Sequence, residues 1–228
     1  MKKFWILFGL LVIPSIAYIY LQTGKNSFKP LEILGPREIQ SKIVDGRQVN
    51  DTVYHTISGF SLLSQDSSQV SDSIFRGKIH IADFFFTTCG TICPKMSNEM
   101  MRVQHAFEKD SDVVIVSYTV DPTHDIPSIL KEYADKHKAI KNKWFFLTGN
   151  KKTIYDLGRN SYLLAVGDGD GGADDFLHSE MFVLVDKEGR IRGGKDKRGN
   201  MLTYDGTNIL DVNRLIEDIA VLKLEYAK

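Results

Sequence analysis

Cys89 and Cys93 are the only cysteines in the chain, and they stand four residues apart in Cys89-Gly90-Thr91-Ile92-Cys93-Pro94. Structural cysteines scattered through a fold seldom fall within one helical turn of each other, so this pair acts as a unit. The i, i+4 spacing can bring both sulfurs to one side of a starting helix, where they close a disulfide or grip a soft metal. A simple stabilising disulfide is the plainest reading, yet so short a loop removes little entropy from the unfolded chain. Two thiolates held together repel. The pair therefore protonates, oxidises or captures a cation, and copper(I) matches sulfur in softness.

A metal would need a third ligand, and six histidines compete for the role. His80 falls inside a strand pattern, His105 on a helix, and His137 within the lysine-bearing stretch 131–143, which reads as a solvated face. His55 precedes a strand, and His124 lies on a connecting loop. His178 stands just ahead of the strand pattern Met181 to Val185. In a thioredoxin-like fold that position is the sheet edge facing the cysteine loop, which favours His178. Asp121, before Pro122, reads on its own as a turn residue. Asp168, Asp170, Asp174 and Asp175 miss the spacing of a calcium loop, so 167–175 reads as a mobile, solvated loop that could let His178 approach or leave a metal.

The elements that must position these groups are legible from periodicity. Lys78 to Phe86 is β-branched and aromatic, with a nearly continuous apolar end, as expected of a strand covered on both faces. Met96, Met100, Val103 and Phe107 recur at helical spacing over 94–109, with Pro94 suited to a first turn. The cysteines thus fall where a strand hands over to a helix, and unpaired N–H groups and the helix dipole stabilise thiolates there. The unit repeats as a strand over 112–120, a helix over 127–138 and a strand over 143–147. A hairpin follows over 181–185 and 190–194 about Lys187-Glu188-Gly189, and then an amphipathic helix carrying Ile209, Val212, Leu215, Ile216, Ile219 and Leu222. This β-α-β then β-β-α order predicts an α/β, thioredoxin-like fold. Ahead of it, Asp45-Gly46 signals a hairpin extension, and 53–63 alternates enough for a short strand pair.

At 228 residues, 43% of them hydrophobic and 25% charged, the chain can bury one sizeable core. Lys+Arg and Asp+Glu both number 29, so there is no basic surplus to recruit nucleic acid. Lys2 and Lys3 precede Phe4 to Leu21, an uncharged run that approaches a bilayer span and carries Tyr18 and Tyr20 where an interface would lie. The expected organisation is a transmembrane anchor over 1–22, a Gly- and Pro-punctuated linker over 23–36 and the folded domain over 37–228. A cleaved signal peptide is the competing reading, given Ser15-Ile16-Ala17. Either one exports the domain.

The chain resembles the Sco family of copper chaperones. The carriers are Phe84-Phe85-Phe86-Thr87-Thr88-Cys89-Gly90-Thr91-Ile92-Cys93-Pro94, then Val120-Asp121-Pro122, then His178 ahead of a strand and a turn ending in Gly189, across residues 50 to 225. The resemblance implies Cys89, Cys93 and His178 as copper ligands, for Cu(I) or Cu(II), and Asp121 as a nearby acidic residue that affects the site. It also implies a metallochaperone, not a turnover enzyme, working on the periplasmic side of a membrane with the copper-site subunit of cytochrome c oxidase as partner and an unidentified copper donor. Two features depart from neighbouring patterns. Leu177 stands where many family members have an acidic residue, and Phe176-Leu177-His178-Ser179 lacks the proline that thioredoxins place before this strand. The rival expectation is a thiol-disulfide oxidoreductase with Cys89 as nucleophile and a Cys89–Cys93 disulfide in its cycle. A peroxide-reducing or redox-sensing protein is a third.

Overall fold

The computed structural model describes residues 8, 10–16, 18, 29–44, 47–168, 176–177, 179–195 and 201–227. The chain divides into two units, Met1–Pro30 and Leu31–Lys228. In the first, residues 10–16 are helical, with Leu10, Leu11, Ile13 and Ile16 exposed. Among the described residues no helix is long and apolar enough to cross a membrane. Most of the expected anchor lies outside the described residues.

The second unit opens with β1 (Glu32–Ile33), β2 (Arg37–Val44), β3 (Arg47–Tyr54), β4 (Ser61–Ser64) and β5 (Gln69–Ser71). Next come β6 (Ile79–Phe85), α1 (Cys93–Ala106), β7 (Val113–Thr119), α2 (Pro127–Lys136), β8 (Trp144–Thr148) and α3 (Lys151–Asp156). A π-turn (Leu157–Ser161) leads to the short β9 (Gly167–Asp168) and β10 (Phe176–Leu177). The chain closes with β11 (Met181–Val185), β12 (Ile191–Lys195), β13 (Met201–Leu202), β14 (Tyr204–Asp205) and α4 (Ile209–Tyr226).

The main sheet runs β1-β12-β11-β6-β7-β8-β4-β5. Strands β6, β7 and β8 are parallel, and β11 runs antiparallel to β6 with Val183 opposite Ala82. This is the predicted strand and helix order. Every residue of β6 and β7 is buried, which explains their unbroken apolar runs. Phe85 packs on Tyr133 of α2 at 5.1 Å between ring centroids. On the opposite face Phe84 stacks on Tyr118 at 5.1 Å and meets Tyr162 edge-on. The tight turn between β11 and β12 needs Gly189, whose φ of +79° is a left-handed conformation.

Several sequence expectations shift. Strands β2 and β3 pair from Val44 opposite Arg47, and Asp45-Gly46, expected as the hairpin turn, lies outside the described residues. The register carries β3 to Tyr54 opposite Arg37. The strand pair read over 53–63 is therefore two unrelated pieces, since 55–60 is irregular and β4 pairs with β5 and β8. The expected linker 23–36 gives up its end to the sheet: Glu32 and Ile33 pair with Gly193 and Arg192. Leu31 donates its N–H to Glu225 and accepts from Arg192. The loop read over 167–175 is closed at its base, because Leu177 pairs with Gly167 and Phe176 with Asp168. Asp170, Asp174 and Asp175 lie outside the described residues.

Candidate metal centre

Strand β6 ends at Phe85, and the chain crosses to α1 through 86–92, which places the cysteines at the carboxyl edge of the parallel strands. Ligands gather at such edges in open α/β sheets because the connecting loops diverge there. Cys89 and Cys93 are both reduced thiols, 8% and 1% exposed. The backbone N–H of Cys93 donates to Cys89 Sγ at 3.5 Å, and the Thr91 hydroxyl lies 3.6 Å from the same sulfur. Pro94 occupies the first turn of α1, where its missing N–H breaks no helical bond. Met96, Met100 and Val103 bury the inner face of the helix and so fix where its first turn sits.

The two thiols are unequal. Burial alone would raise Cys89, but hydrogen bonds from the Cys93 side chain, the Cys93 N–H and Thr91 outweigh it and hold Cys89 below the ordinary thiol range. Burial pushes Cys93 far above that range, and its hydrogen bond to Cys89 and the charges of Cys89 and Asp83 push the same way. Asp83, buried in β6, is itself raised by burial to about 7, against the hydrogen bond donated by Ser117. Cys89 is thus the more reactive sulfur, and Cys93 stays protonated at neutral pH. Under limiting iodoacetamide the reduced protein should carry the label on Cys89 in more than about tenfold excess over Cys93. Peptide mapping by mass spectrometry reads the ratio, and equal labelling would contradict the assignment.

The segment leading into Cys89 is clamped from the neighbouring strand. Asp125 is fully buried, and one of its carboxylate oxygens accepts from the Thr87 N–H at 3.0 Å. The Thr87 and Thr119 hydroxyls both make very short hydrogen bonds to this carboxylate, and His124 Nδ1 lies 3.0 Å from Oδ1. The carboxylate holds the His124 imidazole above its usual value, chiefly through that hydrogen bond. Asp121, expected to act near the metal, also shapes its own turn. Its N–H donates to Thr119 Oγ1 at 3.0 Å, and its carboxylate accepts from the His124 N–H at 3.4 Å.

Among the histidines, His55 Nε2 is 2.8 Å from the Ser161 carbonyl. His80 is buried against Tyr162, and His105 is exposed. His137 does not lie on the solvated face that its lysine neighbours suggested. It is 5% exposed, because the helix end turns its ring onto Tyr133 at 4.5 Å. His178 lies outside the described residues. The start of β11 nevertheless lies at the same end of the sheet as the carboxyl end of β6, as the antiparallel register requires. Among the described residues no three His, Cys, Asp or Glu side chains are grouped to hold a metal ion. The donors that are described, two adjacent reduced sulfurs, suit a soft monovalent ion and leave coordination for one more ligand.

Fold and site together define a thioredoxin-like domain with a reduced CxxxC pair at the head of a helix. The SCO1/SenC family model matches residues 49–203, and the chain belongs to the Sco family. It is 30% identical over 176 residues to the SCO1 protein homolog of Bacillus subtilis, covering 76% of this chain and 86% of that one. The structure is similar to that of BsSco, a member of the Sco family of cytochrome c oxidase assembly proteins in which a disulfide switch was identified. That match has a TM-score of 0.61 at 29% identity, over 75% of this chain and 94% of the other. It is also similar to Arabidopsis thaliana ScoI with copper bound, with a TM-score of 0.56 at 25% identity, over 72% and 97%.

Proposed function

We propose that this chain carries copper on the thiolates of Cys89 and Cys93 with His178 as third ligand, and delivers it to the copper site of a cytochrome c oxidase. The single observation behind this reading is the reduced, adjacent cysteine pair at the N-terminus of α1, sheltered from solvent but not disulfide-bonded. Family membership supports copper as the cargo, since the Arabidopsis relative holds it and BsSco belongs to an oxidase assembly family. Cys89 is the more acidic sulfur and the first to bind, and Cys93 yields its proton as the second sulfur closes on the ion. The 1–22 segment would tether the domain to the exported face of the membrane, so that delivery occurs where the oxidase copper site is built.

The inequality of the thiols also favours a second reading. A Cys89 thiolate attacks a substrate disulfide and forms a mixed disulfide. Cys93, once deprotonated, then attacks Cys89, releasing the substrate as a dithiol and leaving a Cys89–Cys93 disulfide. The two readings part at His178, which a reductase does not need. Copper(I) titration of reduced residues 29–228 should reach one equivalent, and His178→Ala should weaken binding by more than about tenfold. Undiminished affinity in that variant would remove His178 from the ligand set.

A further inference from the structure

His124 sits beside the cysteine loop with one ring nitrogen committed and the other free. Its Nδ1 faces Asp125 Oδ1 at 3.0 Å. A carboxylate only accepts, so Nδ1 carries a proton, and in the neutral ring Nε2 keeps its lone pair. The Asp125 side chain is wholly buried while that of His124 is half exposed. The ring is therefore anchored at its inner nitrogen and open at its outer one. Its backbone is held as well, by the Asp121 carboxylate. Thr87 Oγ1, two residues before Cys89, lies 3.4 Å from the same Nδ1. Strands β6 and β7 bring these loops together as parallel neighbours, Phe85 opposite Thr119. A buried carboxylate orienting an imidazole through one nitrogen is the arrangement that readies the other for a metal.

We propose that His124 Nε2 is a transient copper ligand, a first and last point of contact through which copper passes to and from the thiolates. The inference rests on the copper-carrying function proposed above. The cysteines are nearly inaccessible at 8% and 1%, so an ion held by an incoming carrier meets an exposed donor on the rim before it meets sulfur. Ligand exchange then proceeds with one bond forming as another breaks. Copper stays Cu(I) throughout, and the thiol protons leave to solvent as the sulfurs close on the ion.

The test uses the reduced full chain in detergent and a coloured bidentate Cu(I) chelate as donor. Stopped-flow absorbance should show His124→Ala and His124→Gln slowing transfer in both directions by about tenfold while the equilibrium constant stays within about twofold of wild type. With both cysteines changed to serine, substoichiometric Cu(I) should shift the His124 Nε2 nitrogen resonance before that of exposed His105. Unchanged transfer rates would overturn the proposal, and so would a loss of equilibrium affinity with faster release, which would make His124 a resident ligand. A wild-type chain that takes no copper would strike the copper-carrying function itself, whereas a wild type that binds normally beside variants with unaltered rates would strike only the role of His124.

Discussion

Changing Cys93 to serine should lower Cu(I) affinity by far more than the roughly 10- to 100-fold that follows loss of a residue merely supporting a ligand, because a coordinating sulfur itself disappears. Cys89→Ser should do the same. The wild-type pH dependence follows from the inequality of the two thiols. Cys89 is held below the ordinary thiol range and Cys93 well above it. At neutral pH the free protein therefore keeps the Cys93 proton, and binding must release it. Apparent affinity should rise with pH by at least about tenfold per pH unit across neutrality, because the Cys93 proton leaves for each copper bound, and more steeply wherever Cys89 is protonated as well. Titrations against a chelator of known affinity between pH 5.5 and 9 measure it. A flat profile would contradict ligation by the two thiolates.

Asp125→Ala should be the most destabilising change near the site, by about 3 kcal/mol, because it strands the part-buried Thr87 N–H and the buried Thr119 hydroxyl without an acceptor. Asp125→Asn keeps an acceptor oxygen but cannot serve every donor around it, so its loss should be smaller. Both variants should also loosen the approach to Cys89, since Thr87 is the fixed point from which that loop departs. Urea unfolding followed by far-ultraviolet circular dichroism gives the stability differences. A change below about 0.5 kcal/mol for Asp125→Ala, the range of an ordinary surface substitution, would show that the clamp does not hold the loop.

The parts of the site carried by local sequence were legible, and the parts carried by strand adjacency were not. Strand β6, the start of α1 and the cysteine spacing are one contiguous stretch with strong periodicity, and each lies where it was expected. Asp121 was named through the family resemblance, whereas nothing in Val120-Asp121-Pro122-Thr123-His124-Asp125 says that the Asp125 carboxylate turns inward. Only the pairing of β6 with β7 brings Thr87 within reach of Asp125. The sheet edge at Glu32–Ile33 was missed for the same reason, since its partner β12 lies far along the chain. The burial of His137 was hidden by Lys136 and Lys138, whose charges describe the helix surface and not the direction of the ring between them. The strands β2 and β3 were not read from the sequence, because Ile39 and Ile43 stay exposed on a two-stranded ribbon and mark no buried face.

The central claim is that copper passes through this protein to an oxidase, and its most direct test separates copper from thiol chemistry in one experiment. A strain lacking the protein is complemented with wild type, Cys93→Ser or His178→Ala, and cytochrome c oxidase activity is measured at scarce and at generous copper. Copper delivery predicts that both variants fail when copper is scarce. Full restoration by His178→Ala alongside failure of Cys93→Ser would contradict it and establish the thiol reductase instead.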